Sequence, residues 1–206
     1  SDFNEEWAII EHNHNNREDD KLQKKYTRPQ DAHLLYNLMI NMPPRHSKST
    51  YATSLFPSYY LARNPTRYSM TASYNSQLAT DFGRAQRQYL QHEETNLVFP
   101  DFALSKDSRA MDVFRTTEGG AAYNIGMGAT TSGRPANLLS LDDPIKSRSE
   151  ADSATQRQKA WDYYTSALTT RLQPDTNGEH PIQIVCYTRW HPDDLGSRIM
   201  QTEDWA

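Results

Sequence analysis

The sequence predicts an α/β fold in which a mostly parallel central sheet carries helices on both faces. Three observations predict it. Extended apolar runs alternate along the chain with segments of helical spacing, the pattern that places crossover helices between parallel strands. The first apolar run ends in a tight polar turn followed at once by a helix start, and a later run ends in two carboxylates. Ligands of open α/β sheets bind at the carboxyl ends of strands, so these ends are where chemistry is expected.

The elements follow in order. Residues 1–31 are very polar, as in His12-Asn13-His14-Asn15-Asn16-Arg17-Glu18-Asp19-Asp20-Lys21, and read as an exposed arm or peripheral helix ahead of a domain at 32–206. His12 and His14 lack the second spaced pair that a metal site needs. Leu38–Asn41 is the first strand, and a helix runs from Lys48 to about Leu61. Arg67–Ser73 is β-prone, and Leu78, Phe82, Ala85 and Tyr89 give Gln77–Leu90 a helical stripe. Val113–Thr117 and Ala121–Ile125 flank Glu118-Gly119-Gly120 as a hairpin. After the Gly-rich stretch Gly126–Gly133, Leu138–Asp142 is a strand. Ser147-Arg148-Ser149-Glu150 is a capping box opening one long helix, with Ala154, Trp161, Tyr164 and Leu168 on its buried face and an end near Arg171. Ile182–Tyr187 is a buried strand, and Pro192 is the first residue of a last helix.

Composition sets limits. A chain of 206 residues supports one good-sized core. The net charge of −4 and pI near 6.0 exclude a globally basic nucleic-acid coat, though not a local cluster that grips phosphates. A mean hydropathy of −0.89 demands a strongly polar surface. Cys186 has no partner for a disulfide, which fits a reducing cytosol, and reads as core filler. No apolar run approaches the roughly 18 residues that span a bilayer, and the N-terminus has no signal-sequence pattern. The sequence ends at Trp205-Ala206 without a helix-stop signal and reads as one domain of a longer protein.

Leu38-Met39-Ile40-Asn41-Met42-Pro43-Pro44-Arg45-His46-Ser47-Lys48-Ser49-Thr50 has the layout of a phosphate-binding loop: strand, loop, helix N-terminus. The N–H groups of the loop and first turn face an anion, Lys48 can neutralise the β- and γ-phosphates of ATP or GTP, and Ser49 can take a Mg²⁺ position. Both glycines of the usual pattern are replaced, by Met42 and Ser47. A left-handed serine costs roughly 1–2 kcal/mol. The expectation is that Pro43-Pro44 redirects the loop and leaves Ser47 right-handed or extended. The plainer alternative is a Pro-Pro turn capped by Ser47 or Ser49. Leu138–Asp143 supplies what a phosphate loop lacks: Asp142 for Mg²⁺ or its water shell, and Asp143 to orient the attacking water. Here the plainer alternative is a strand-ending Asp142-Asp143-Pro144 turn. Thr188, ending the next strand, is placed to sense the γ-phosphate.

Taken together, these segments resemble the N-terminal ATPase domain of a tailed-bacteriophage large terminase, the DNA-packaging motor. Met42 to Ser49 resembles the variant Walker A loop, and Leu141-Asp142-Asp143-Pro144-Ile145-Lys146 the Walker B strand. Thr188-Arg189-Trp190-His191 with Asp193-Asp194-Leu195 resembles the coupling motif, and Gly128–Asn137 the glycine-rich segment before Walker B. The likeness runs from about Leu35 to Ile199. It implies a P-loop NTPase fold and Mg²⁺-dependent ATP hydrolysis driving duplex DNA into a procapsid. The nucleotide-binding set would be Pro44, Arg45, His46, Ser47, Lys48, Ser49 and Thr50, with Arg45 and Lys48 on phosphates. Ser49 and Asp142 would serve Mg²⁺, Asp143 would be the catalytic carboxylate, and Thr188 the coupling residue. Arg134 would be an arginine finger reaching a neighbour's site in a homo-oligomeric ring. The implied partners are portal protein and small terminase subunit, with no membrane, and the implied place is the host cytoplasm at the procapsid portal vertex. Ser47, Ala129, Pro135, Asn137 and Ser140 depart from the family pattern. The family's adenine-contacting glutamine could be Gln23 or Gln30, and its nuclease domain has no counterpart here.

Other classes compete. A helicase-like remodelling ATPase shares the loop and Walker B but would need an arginine motif after Thr188. A weakly hydrolysing nucleotide-binding assembly subunit is suggested by Ser47. A two-metal nuclease built on Asp142, Asp143, Asp193 and Asp194 would leave Lys48 and Ser49 unexplained.

Overall fold

The computed structural model describes residues 37–108 and 110–202. The chain divides into two units, Ser1–Leu35 and Tyr36–Ala206; the arm at 1–31, with His12, His14, Gln23 and Gln30, lies outside the described residues. A six-stranded sheet forms from β1 (Asn37–Asn41), β2 (Tyr68–Ser73), β3 (Val113–Arg115), β4 (Ala121–Gly126), β5 (Leu138–Asp142) and β6 (Ile182–Tyr187). Their spatial order is β1-β6-β5-β2-β4-β3. All neighbours are parallel except the β3–β4 hairpin, whose register pairs Phe114 with Ala122. Its turn places Gly119 at φ 93°, a conformation that glycine adopts without a Cβ clash.

The helices are α1 (Phe56–Arg63), α2 (Ser76–Leu90), α3 (Glu93–Val98), α4 (Arg148–Asp152), α5 (Ala154–Tyr163) and α6 (Leu195–Thr202). Side chains alternate between the two faces of β5 and split the core accordingly. Leu139 and Leu141 join Met70, Val185, Tyr187, Tyr164, Leu168, Leu195 and Ile199 in one cluster. Leu138 joins Ala52, Tyr60, Ile184 and Cys186 in another. Helices therefore cover both faces. On the first face the approach is close at Gly196, where an added Cβ would lie 2.1 Å from the Tyr187 ring.

Several expectations need correction. The helix after the loop starts at Lys48 as expected, but runs as a π-helical segment over Thr50–Leu55 before becoming α1. Its shifted carbonyls accept side-chain donors: Ala52 from Ser140 Oγ at 2.7 Å, Thr53 from Gln86 Nε2 at 2.8 Å, and Ser54 from Ser58 Oγ at 2.7 Å. Gln86 also donates to Thr71 Oγ1 at 2.9 Å, so sheet, α2 and this segment share one buried network. The long helix breaks at Ser153, which is extended at ψ 113° and caps α5. In consequence Ala154 is exposed, and Arg157 and Ala160 fill the buried face. Two irregular turns, Tyr164–Leu168 and Thr169–Arg171, finish the segment. Pro192 precedes the last helix instead of opening it, because Asp194 takes the cap by accepting Ser197 N–H at 2.9 Å. The short helix α3 was not anticipated.

Candidate active site

The site forms where β1, β5 and β6 end. After β1 the chain turns at Pro44-Arg45, with His46 Nδ1 2.9 Å from the Pro44 carbonyl oxygen. Arg45 (φ 67°) and Ser47 (φ 58°) are both left-handed. The expectation for Ser47 is thereby overturned: the Pro-Pro entry does not remove the requirement for positive φ. Serine occupies a position whose backbone suits glycine. The helix then begins at Lys48, and Tyr51 N–H donates to the Ser47 carbonyl at 3.2 Å.

Two side-chain pairs join the loop to the end of β5. Lys48, only 7% exposed, places Nζ 2.6 Å from Asp143 Oδ2. Ser49 Oγ donates to Asp142 Oδ1 at 3.0 Å. Asp143 is held further by its own N–H, which donates to the Cys186 carbonyl at 2.8 Å, and by Thr188 N–H, which donates to Oδ1 at 2.8 Å. Its backbone is left-handed at φ 39°, the kind of strain that persists only where surrounding bonds over-determine it. Burial and the neighbouring Asp143 charge push the Asp142 pKa up to about 6, against the opposing influence of Lys48, Ser49 and Cys186. Burial likewise pushes the Cys186 thiol up. The core-filling reading of Cys186 therefore stands with one addition: its backbone carbonyl positions Asp143.

The fold thus brings together Lys48, Ser49, Asp142, Asp143 and Thr188. Pro44, Arg45, His46, Ser47 and Thr50 are exposed around them. Arg134 is not among them in this chain. Its guanidinium stacks on the Tyr123 ring of β4, 5.8 Å from the centroid, and β2 separates β4 from β5. The four-carboxylate nuclease arrangement does not form either. Asp193 pairs with Arg157 at 3.1 Å and Arg198 at 2.7 Å. Among the described residues no group of three or more His, Cys, Asp or Glu could hold a metal ion.

Sequence reasoning missed the buried Ser140, Thr71 and Gln86, which brace the segment following Lys48. Polar residues at core positions of strands and of a helix were the available signal. The Ser49 hydroxyl and Asp142 carboxylate fit a hard cation as an adjacent oxygen pair. Mg²⁺ needs only one or two such protein ligands when phosphate and water complete its shell. A buried ammonium directly after left-handed loop residues fits a polyphosphate. No helix among the described residues is long and apolar enough to cross a membrane.

No family model matches the chain, and no curated protein matches it. Among solved structures, the crystal structure of the HK97 bacteriophage large terminase aligns with a TM-score of 0.49 at 12% identity. The alignment covers 81% of this chain and 33% of that one, so this chain spans about a third of that protein's length. At that identity the likeness concerns the course of the chain alone.

Proposed function

We propose that the chain is a Mg²⁺-dependent P-loop ATP hydrolase, the engine of a viral DNA-packaging motor that moves duplex DNA into a procapsid. One observation supports the hydrolase reading above others. Lys48 and Ser49, consecutive at a helix start, each contact one of two consecutive carboxylates at the end of β5. A strand-ending turn or a capped helix alone would not call for that double registration. The packaging role rests on the resemblance of the Walker A, Walker B and coupling segments. Partners follow from the same resemblance: duplex DNA, portal protein, small terminase subunit and further copies of this chain in a ring, in the host cytoplasm.

In this reading Lys48 leaves Asp143 to neutralise phosphate oxygens. Ser49 and Asp142 would hold Mg²⁺, which would offset the negative charge of the phosphates. Freed of Lys48, Asp143 orients the attacking water, while Thr188 N–H keeps its carboxylate in place. Arg45, exposed on the loop, is available to phosphate, and Arg134 to a neighbouring subunit. A second reading, a nucleotide-binding assembly subunit of slow turnover, draws on the direct Lys48–Asp143 pair, since each group neutralises the other until ligand separates them.

Steady-state ATP hydrolysis, with and without duplex DNA and beside a Lys48→Ala control, tests both. The expected result is Mg²⁺-dependent turnover that DNA stimulates and Lys48→Ala reduces to background. Equal rates in wild type and Lys48→Ala refute the phosphate-loop assignment. ATP binding without turnover selects the second reading.

A further inference from the structure

The start of the loop helix and the end of β5 are joined by a second bond beside the Ser49–Asp142 pair. Ser49 Oγ donates to Asp142 Oδ1 at 3.0 Å, and Ser140 Oγ donates to the Ala52 carbonyl at 2.7 Å. Ser49 and Ala52, three residues apart, share a helix face. Ser140 and Asp142, two residues apart, share a strand face. The two bonds therefore run side by side in opposite senses, one from helix to strand and one from strand to helix. Ala52, Ser140 and Asp142 are all buried.

The Ala52 carbonyl is open to Ser140 because the helix passes it over. In an α-helix Phe56 N–H would donate to Ala52; here it donates to the Tyr51 carbonyl, five residues back. Pro57 follows, and it has no N–H to offer the Thr53 carbonyl, which its ring also crowds. Gln86 Nε2 supplies that missing donor. The wide turn is thus imposed by Pro57 from within the helix and matched by Ser140 and Gln86 from outside it. Its consequence is one of phase. Each residue of an α-helix advances about 100°, so one extra residue in a turn rotates the Ser49 end by about that angle against α1. Tyr60, Leu61 and Ala62 hold α1 in the core. Without the Ser140 hydroxyl, the Ala52 carbonyl is a buried acceptor lacking its donor, which is costly. The donor that an α-helix would supply is Phe56 N–H, and taking it closes the turn and swings Ser49 off Asp142.

We propose that Ser140 is a positioning residue of the site: its hydroxyl holds the turn open at Ala52 and so sets Ser49 on Asp142. The proposal rests on the Mg²⁺ role assigned to that pair above for its bearing on turnover, though not for its geometry.

Two measurements decide it. A crystal structure of ligand-free Ser140→Ala should show Phe56 N–H on the Ala52 carbonyl and Ser49 Oγ beyond hydrogen-bond distance of Asp142. Retention of the Tyr51 bond and of the Ser49–Asp142 pair overturns the proposal, whatever the protein does with ATP. In steady-state hydrolysis, Ser140→Ala should raise the Mg²⁺ concentration for half-maximal rate and lower kcat/KM, each about 10-fold, the scale of one lost hydrogen bond. The same substitution made in Ser49→Ala should cause no further loss, because Ser140 acts through Ser49. Additive losses, or an unchanged Mg²⁺ dependence in the single variant, overturn the proposal. Ser140→Cys, nearly the same size and only a weak donor, is held to the same outcomes where the alanine variant fails to fold. If wild type itself does not hydrolyse ATP, the hydrolase reading fails, and the crystal structure still decides the role of Ser140.

Discussion

Ser47→Gly tests the loop most directly. Ser47 has φ 58°, where a Cβ costs roughly 1–2 kcal/mol relative to a right-handed backbone. Glycine removes that cost but gives the unfolded chain more freedom, worth about 0.4–1 kcal/mol in the opposite direction. The Ser47 carbonyl still accepts Tyr51 N–H in the variant, and the side chain is exposed, so little else changes. The net expectation is a gain of roughly 0.5–1 kcal/mol. With a urea dependence of about 2 kcal/mol/M, the unfolding midpoint rises by roughly 0.3–0.5 M. Tryptophan fluorescence in a urea titration reads this shift. Ser47→Ala keeps the Cβ and loses only the hydroxyl, so its midpoint should stay close to wild type. A midpoint that falls in Ser47→Gly refutes the claim that the loop stores backbone strain at this residue.

Three further outcomes follow from the geometry. Lys48→Ala should lose the thermal stabilisation that ATP·Mg²⁺ confers on wild type, measured by differential scanning fluorimetry; an unchanged shift counts against a phosphate role. Asp143→Asn should retain ATP binding while turnover falls roughly 10²-fold, whereas Asp142→Asn should weaken Mg²⁺-dependent binding itself; identical losses of binding in both would show that the roles are not divided. Asp142 also sets a pH dependence. Its native pKa of about 6 lies above the ordinary 3.8, so the folded state binds more protons between these values and stability falls as pH rises from 4 to 6. Asp142→Asn should remove that slope and stabilise the ligand-free protein by roughly 1–3 kcal/mol above pH 7, as read by urea unfolding across pH. Asp193 opposes it with the other sign, because its hydrogen bonds to Arg198 and Arg157 hold its carboxyl below the usual range. Its stabilisation is present above about pH 4 and is lost in acid.

Buried parallel strands were the most legible elements. Leu138–Asp142 and Ile182–Tyr187 stand where their apolar runs place them, since such strands need side chains of one kind on both faces. The positions of Lys48, Ser49, Asp142 and Asp143 were legible from strand ends and a helix start. Their direct pairing was not, because no local pattern states which lysine meets which carboxylate. The break at Ser153 left a readable trace, since Ser153-Ala154-Thr155-Gln156 is itself a capping box. A longer run of helical spacing masked it. The π-helical segment left none in its own residues, as its distinguishing bonds come from Ser140 and Gln86, far away in sequence. α3 has six residues, too few for periodicity to register.

β6 contributes no side chain to the Lys48–Asp143 or Ser49–Asp142 pair, yet it lies between β1, which leads into the loop, and β5, which leads to the two carboxylates. The ends of β1 and β5 therefore stand two strand spacings apart, roughly 9.6 Å, so backbone ladders gauge the interval between the point where the loop leaves the sheet and the carboxylates. A gauge of that kind is indifferent to side-chain drift. Ile184 or Val185 could exchange for other apolar residues and leave the interval intact. A one-residue insertion in β6 would instead turn the Cys186 carbonyl away from Asp143 and take the site apart, with every reactive group still present in the chain.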